Sequence, residues 1–233
     1  MTWWPGTVAG LNPRVSSMLP ETASIRFLEL GVSHRWAVAA IAQAAFHGSP
    51  FYSRALGLDE RGFSGYWEEF FEFALRDPNA AVYALEQDGC IVAAVAVAFD
   101  GFPSTRPAVR FLTRLLLRIG PMRFVQYVRF VLEYERVMRR PSAERRLEAC
   151  GLWLFIQPGA GTRLGPQLLR ETTELMRHQG KVLITGFIDA SNRALLAFYR
   201  RNGFHILPAF EFAGMQAARI ERWLRPPTAE QLR

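Results

Sequence analysis

Residues Gly180 to Phe204 read GKVLITGFIDASNRALLAFYRRNGF. The apolar run Val182 to Ile188 has the length of a buried strand and stops at Asp189-Ala190-Ser191-Asn192. Asn is a preferred residue at a helix start, and a helical pattern follows from Arg193 to Arg201. Asn202-Gly203 ends that pattern, and Phe204 re-enters apolar sequence. Asn192 and Tyr199 lie seven positions apart, or about two helical turns, so both fall near one face of the helix. Leu195, Leu196 and Phe198 supply its packing side. Two readings stay open on these residues. One is an ordinary strand–helix unit with Asn192 as cap and Tyr199 as packing. The other is a pair of polar groups aimed at a common cleft.

Outward from this stretch, Leu147 to Gln157 reads as a strand that ends at Pro158-Gly159-Ala160-Gly161. A helix is expected from Thr162 to His178, with Pro166 tolerated in its first turn and Gly180 as its stop. After Phe204, the runs Ile206 to Phe212 and Met215 to Leu224 suit a closing hairpin about Gly214, the second also being compatible with helix. Toward the N-terminus, Ser24 to Leu30 alternates as a half-buried first strand, and Ser33 is placed to cap a helix from Arg35 to Phe46. Gly48-Ser49-Pro50 breaks it, and a second helix is expected from Asp59 to Leu75. Ala81 to Phe99 carries the clearest hairpin, folded at Asp88-Gly89, with an apolar second arm suited to a central strand. Residues 105–140 repeat Arg among Leu, Phe, Val and Tyr and read as two amphipathic helices divided at Gly120-Pro121. The favoured reading packs their apolar face on the domain and solvates the arginines. A lid or dimer surface is compatible with it, whereas Glu133, Tyr134 and Glu135 speak against an interfacial membrane helix. The expected organisation is an irregular leader at 1–23, one domain at 24–224 with 105–140 inserted, and a tail at 225–233.

Half of the 233 residues are hydrophobic and 13% aromatic, enough for a sizeable core. Two cysteines, Cys90 and Cys150, exclude a disulfide framework and a structural zinc site of cysteines, and a reducing, cytoplasmic location is the default expectation. No apolar run reaches the length of a transmembrane segment. The formal charge of +7 and pI near 10.1 come almost wholly from arginine, which suits phosphate recognition. The charge alone does not choose among a phosphorylated cofactor, nucleic acid and a membrane surface.

The combination Asn192, Ala194, Phe198, Tyr199, Gly203 and Phe204 resembles the end of the GCN5-related N-acetyltransferase (GNAT) core. The order of strands and helices across 24–224 is similar as well. The resemblance implies an α/β (α+β) acyl-CoA N-acyltransferase fold, a mixed central sheet flanked by helices. It implies that the glycine turn after the fourth strand binds the coenzyme A pyrophosphate, here Gly161, Thr162, Arg163, Leu164 and Gly165. Ala160 and Arg163 depart from the family pattern, which has Arg or Gln and Gly at those positions. Leu154, Phe155 and Ile156 would pair with the pantetheine arm, and amides near Ile156 would face the oxyanion. Asn192 would orient backbone and cofactor, and Tyr199 would protonate the leaving thiolate. The inserted helices resemble those of puromycin N-acetyltransferase-type members.

What this resemblance implies is acetyl transfer from acetyl-CoA, or another acyl-CoA, to a primary amine of a small molecule, without a metal. A longer acyl-CoA or an acyl carrier protein is the alternative donor, and a binding or regulatory protein of the same fold is the alternative outside catalysis. A homodimer is compatible with the inserted helices, and nucleic acid is not an expected partner. Leu152 stands where many relatives carry a carboxylate base. Glu148, Glu133 and Glu135 read as solvated carboxylates, Cys150 as a small buried residue, and His205 as a side chain that could face the cleft.

Overall fold

The computed structural model describes residues 24–47, 49, 60–138 and 146–225. The leader at 1–23, the break at Gly48 and Pro50 and the tail from residue 226 lie outside them. Asp88 and Gly89 take φ of 53° and 79°, the conformation of a primed hairpin turn. They join β2 (Ala80–Gln87) to β3 (Cys90–Ala98). β1 (Ile25–Glu29) pairs antiparallel with β2, and β4 (Glu148–Ile156) antiparallel with β3. β5 (Leu183–Asp189) joins β4 in parallel and β8 (Met215–Trp223) antiparallel. β6 (His205–Ile206) and β7 (Phe210–Phe212) both pair with β8. The result is one mixed eight-stranded sheet, ordered β1-β2-β3-β4-β5-β8-β6 with β7 beside β8. Residues 91–98 of β3 are buried throughout, as their continuous apolar run requires of a central strand.

Alternate residues of the strands enter two separate cores, so the sheet is covered on both faces. Val82, Ala84, Ala94 and Ala96 meet α1 (Arg35–Phe46), α2 (Glu60–Ala74), α3 (Thr105–Ile119) and α4 (Pro121–Met138). That core is aromatic: the Trp67 ring lies 5.1 Å from Phe46 and 4.9 Å from Trp153. Tyr83, Leu85, Ala93 and Val95 meet α5 (Leu164–His178) and α6 (Arg193–Arg201) on the other face. No helix among the described residues is long and apolar enough to cross a membrane.

Three sequence expectations are corrected. Ser33 does not cap α1. A 3-10 turn, Val32–His34, precedes the helix, and the Gly31 amide donates to His34 Nδ1 at 3.2 Å instead. The first arm of the closing hairpin is split into β6 and β7 around Pro208, which has no amide to donate to the ladder. The arginines of α3 are not all left to solvent. Arg110 and Arg114 reach Glu72 at 3.2 and 2.9 Å, and Arg118 reaches Glu68 and Glu69 at 2.5 and 3.3 Å, so charge pairs fasten α3 to α2.

Glu72 is the hub of that seam, with Arg76 at 3.4 Å as a further partner. Burial alone would raise its carboxyl pKa, but Arg114, Arg76 and Arg110 outweigh burial and hold it below the ordinary value. A depressed carboxylate pKa contributes stability above the unfolded-state value and loses it as pH falls through the folded one. Glu72→Gln is therefore expected to cost about 1 kcal/mol at pH 7, the discounted size of a partly solvated network. The difference from wild type should close below about pH 4 in thermal melts.

Candidate active site

β4 and β5 part company halfway along. Their parallel register runs from Glu148↔Leu183 to Gly151↔Gly186 and stops there. Beyond it, β4 stays on β3 as far as Ile156 and β5 stays on β8 as far as Asp189. The cause lies in β4. Val97 pairs with Gly151 and Ala96 with Trp153, so Leu152 is an extra residue, a β-bulge. A bulge bends its strand and increases the local twist, which turns the end of β4 away from β5.

The amide of Gln157 donates to Val92 O on β3 at 2.8 Å. Backbone groups alternate in direction along a strand, so Phe155 also turns its amide and carbonyl toward β3. Leu154 and Ile156 turn theirs the other way, into the opening. Phe155 thus departs from its expected place on the pantetheine arm. Its backbone belongs to the ladder, and its ring is 2% exposed and packed 5.6 Å from Phe71.

The glycine turn sits at the mouth of this opening. Gly159 and Gly161 have φ of 84° and 101°, and nothing lies within 4 Å of a Cβ built on either. Among the described residues the amides of Gly161, Thr162 and Arg163 make no backbone hydrogen bond, and no side chain caps α5. The first amides of a helix lack intrahelical partners and carry the positive end of its dipole. Arg163 is exposed and has no acidic partner among the described residues. This is a set of donors and positive charge suited to a phosphate group. Gly165 is required by close approach: a Cβ there would stand 2.9 Å from Ile156 Cδ1 and 3.1 Å from Phe198 Cε2. The end of β4, the start of α5 and the side of α6 therefore meet at one point.

On α6, Asn192 Oδ1 accepts from the Leu195 amide at 3.0 Å, so the carboxamide oxygen is committed to the helix cap, and its NH2 has no partner among the described residues. Asp189 Oδ1 accepts from the Ser191 amide at 2.8 Å and fixes the turn that precedes the cap. Tyr199 packs between Phe198 and Phe204, each at 5.2 Å, in the same core as Leu154 and Ile156. Burial pushes its phenol well above the ordinary tyrosine pKa, so the group keeps its proton across the physiological range. Its hydroxyl makes no hydrogen bond among the described residues.

The carboxylates fall differently from the sequence expectation. Glu148 is not a solvated side chain. It is 8% exposed and accepts a hydrogen bond from the Thr185 hydroxyl, because this part of β4 is flanked by strands on both sides. Glu133 accepts from the Ala213 amide at 3.2 Å, and Glu135 is exposed. His205 does not face the opening: it is exposed on β6, two strands beyond β5 in the sheet order. Burial pushes the Cys150 thiol up to about 11, and Tyr134 Oη lies 3.5 Å from its sulfur, so Cys150 is no nucleophile at neutral pH. What the sequence reading missed is the vertex, Gly151 and Gly186 with the bulge at Leu152. Its signal was a glycine inside each of two apolar strands.

No protein-family model and no curated protein sequence matches the chain. Solved structures do. The PaiA N-acetyltransferase of Thermoplasma acidophilum, in complex with coenzyme A, is 13% identical with a TM-score of 0.53, over 86% of this chain and 99% of that one. The ribosomal-protein-S18-alanine N-acetyltransferase of Escherichia coli is 15% identical with a TM-score of 0.52, over 88% and 97%. A protein of Desulfovibrio desulfuricans described as a GNAT-family acetyltransferase is 12% identical with a TM-score of 0.56, over 87% and 100%. At these identities the likeness is one of fold, and the chain has the mixed α/β fold of the GNAT acetyltransferases.

Proposed function

We propose that this chain, built on the fold of the GNAT acetyltransferases, is an acyl-CoA-dependent N-acyltransferase that moves an acetyl group to a primary amine of a small molecule. The observation that carries the proposal is the opening between β4 and β5, where the backbone groups of Leu154 and Ile156 pair with no strand among the described residues. An extended amide-bearing arm fits such an edge as an added strand would. The amides at Gly161–Arg163, the start of α5 and the Arg163 guanidinium suit the pyrophosphate at its other end.

In this reading the donor supplies a thioester carbonyl to the amine. The amine nitrogen forms a bond to the carbonyl carbon, the carbon–sulfur bond breaks, and the amine gives up a proton to solvent. Leu154, the deeper of these two amides on β4, donates to the oxygen as negative charge develops on it. Tyr199 holds its proton until the thiolate leaves and then transfers it to the sulfur. Asn192 sets the start of α6 and offers its NH2 toward the cofactor, and Gly165 lets α5 come close enough to Ile156 for turn and strand to act together. The carrier protein and the non-catalytic reading gain no observation of their own. The test is binding followed by turnover: acetyl-CoA should bind the folded protein, and free thiol should appear only once a primary amine is added. A folded protein that binds no acyl-CoA would refute the proposal.

A further inference from the structure

The inserted helices carry a surface that acyl transfer does not use. Of the eight large apolar side chains exposed among the described residues, five lie on this pair: Val109, Leu117, Met122, Val125 and Leu132. The two most exposed, Leu117 at 81% and Met122 at 75%, stand on either side of the turn at Gly120-Pro121. Along α4 the exposed positions Met122, Val125, Arg129, Leu132 and Arg136 are spaced three and four apart, so one stripe mixes apolar and cationic groups, with exposed Gln126 and Glu135 to either side of it. It runs about 21 Å at the helical rise. On α3, Arg106, Val109 and Leu117 continue it.

The charge on this face is one-sided. Arg106, Arg129 and Arg136 are exposed and have no acidic partner among the described residues, whereas Arg110, Arg114 and Arg118 turn to the carboxylates of α2. The residues that speak against a membrane role in the sequence are placed elsewhere. Tyr134 packs inward against Phe130 and Phe187, at 6.2 and 5.8 Å. Glu133 is held by the Ala213 amide, and Glu135 lies on the flank, off the stripe.

We propose that the outward face of α3 and α4 docks on an anionic lipid surface, with Leu117 and Met122 entering the headgroup–acyl boundary and Arg106, Arg129 and Arg136 meeting lipid phosphates. Arginine stems lie along apolar surface while their heads reach the phosphate layer, and this mixture of projecting apolar and cationic groups matches that boundary. A second copy of the chain fits worse, because the face would bring arginines against arginines. The proposal stands apart from acyl transfer, since none of these residues touches the β4–β5 opening.

The experiment is co-sedimentation of the full chain with vesicles of phosphatidylcholine alone and of phosphatidylcholine with phosphatidylglycerol. Binding is expected on the anionic vesicles only and should weaken as salt is raised. Leu117→Ser with Met122→Ser, and separately Arg129→Glu with Arg136→Glu, should each lower binding roughly 10-fold or more. All four positions are exposed, so thermal melts of the variants should match the wild type. Absence of vesicle binding would overturn the proposal, as would binding that both double variants leave unchanged. Concentration-dependent dimerisation, or capture by an acidic protein, that the variants abolish while vesicles stay unbound would overturn it too, and would reassign the face to a protein partner.

Discussion

Tyr199→Phe is expected to lower kcat by roughly 10²–10⁴-fold while leaving acetyl-CoA binding within a few-fold of the wild type. The substitution removes one oxygen and keeps the ring, so the contacts with Phe198 and Phe204 survive. That oxygen makes no hydrogen bond among the described residues, so its removal leaves none of their buried donors or acceptors unsatisfied. Stability should therefore change little, which separates a chemical role from a structural one. Burial raises the phenol pKa, so Tyr199 should stay protonated past the pH at which an ordinary tyrosine ionises. The alkaline limb of the wild-type rate profile should accordingly not fall through Tyr199 below about pH 10. Steady-state kinetics and melting curves of the two proteins check this, and an unchanged kcat would remove the general-acid role.

The second large effect is expected at Leu154. Leu154→Pro deletes an amide that points away from β3 and so leaves the β3–β4 ladder intact. The preceding residue, Trp153, already has the extended conformation that a following proline favours. Loss of one preorganised oxyanion donor is expected to cost roughly 10²–10³-fold in kcat. The same change at Phe155 would remove a ladder hydrogen bond, so Phe155→Pro should unfold or strongly destabilise the protein instead. The contrast between adjacent positions reads out the alternation of backbone direction. Equal kinetic effects in two folded variants would contradict it.

The parts of the fold legible in the sequence are those written in local periodicity. The Asp88-Gly89 hairpin, the break at Gly120-Pro121 and the strand–helix unit from Val182 to Arg201 each carry their signal within a few residues. The opening between β4 and β5 does not, because it depends on which strands pair and where a bulge falls. Leu152 carries no mark of being the extra residue, since only its register against Ala96 and Val97 reveals it. Glu148 and His205 were misplaced for the same reason: burial of a strand residue depends on what pairs to either side. Asn192 and Tyr199 were visible as a pair, but the commitment of the Asn192 oxygen to the cap appears only in the geometry. The fastening of α3 to α2 through Glu69 and Glu72 is likewise non-local, joining residues 38 and 49 positions apart.

The most direct measurement is a calorimetric titration of acetyl-CoA into the wild type and into Gly165→Val. A branched side chain at 165 must displace Ile156 and Phe198 at the junction of turn, strand and helix. The expected result is one-to-one binding to the wild type and binding at least roughly 10-fold weaker to the variant. No heat of binding from a folded wild-type protein, or equal affinity in both, would contradict a coenzyme site at the β4–β5 opening.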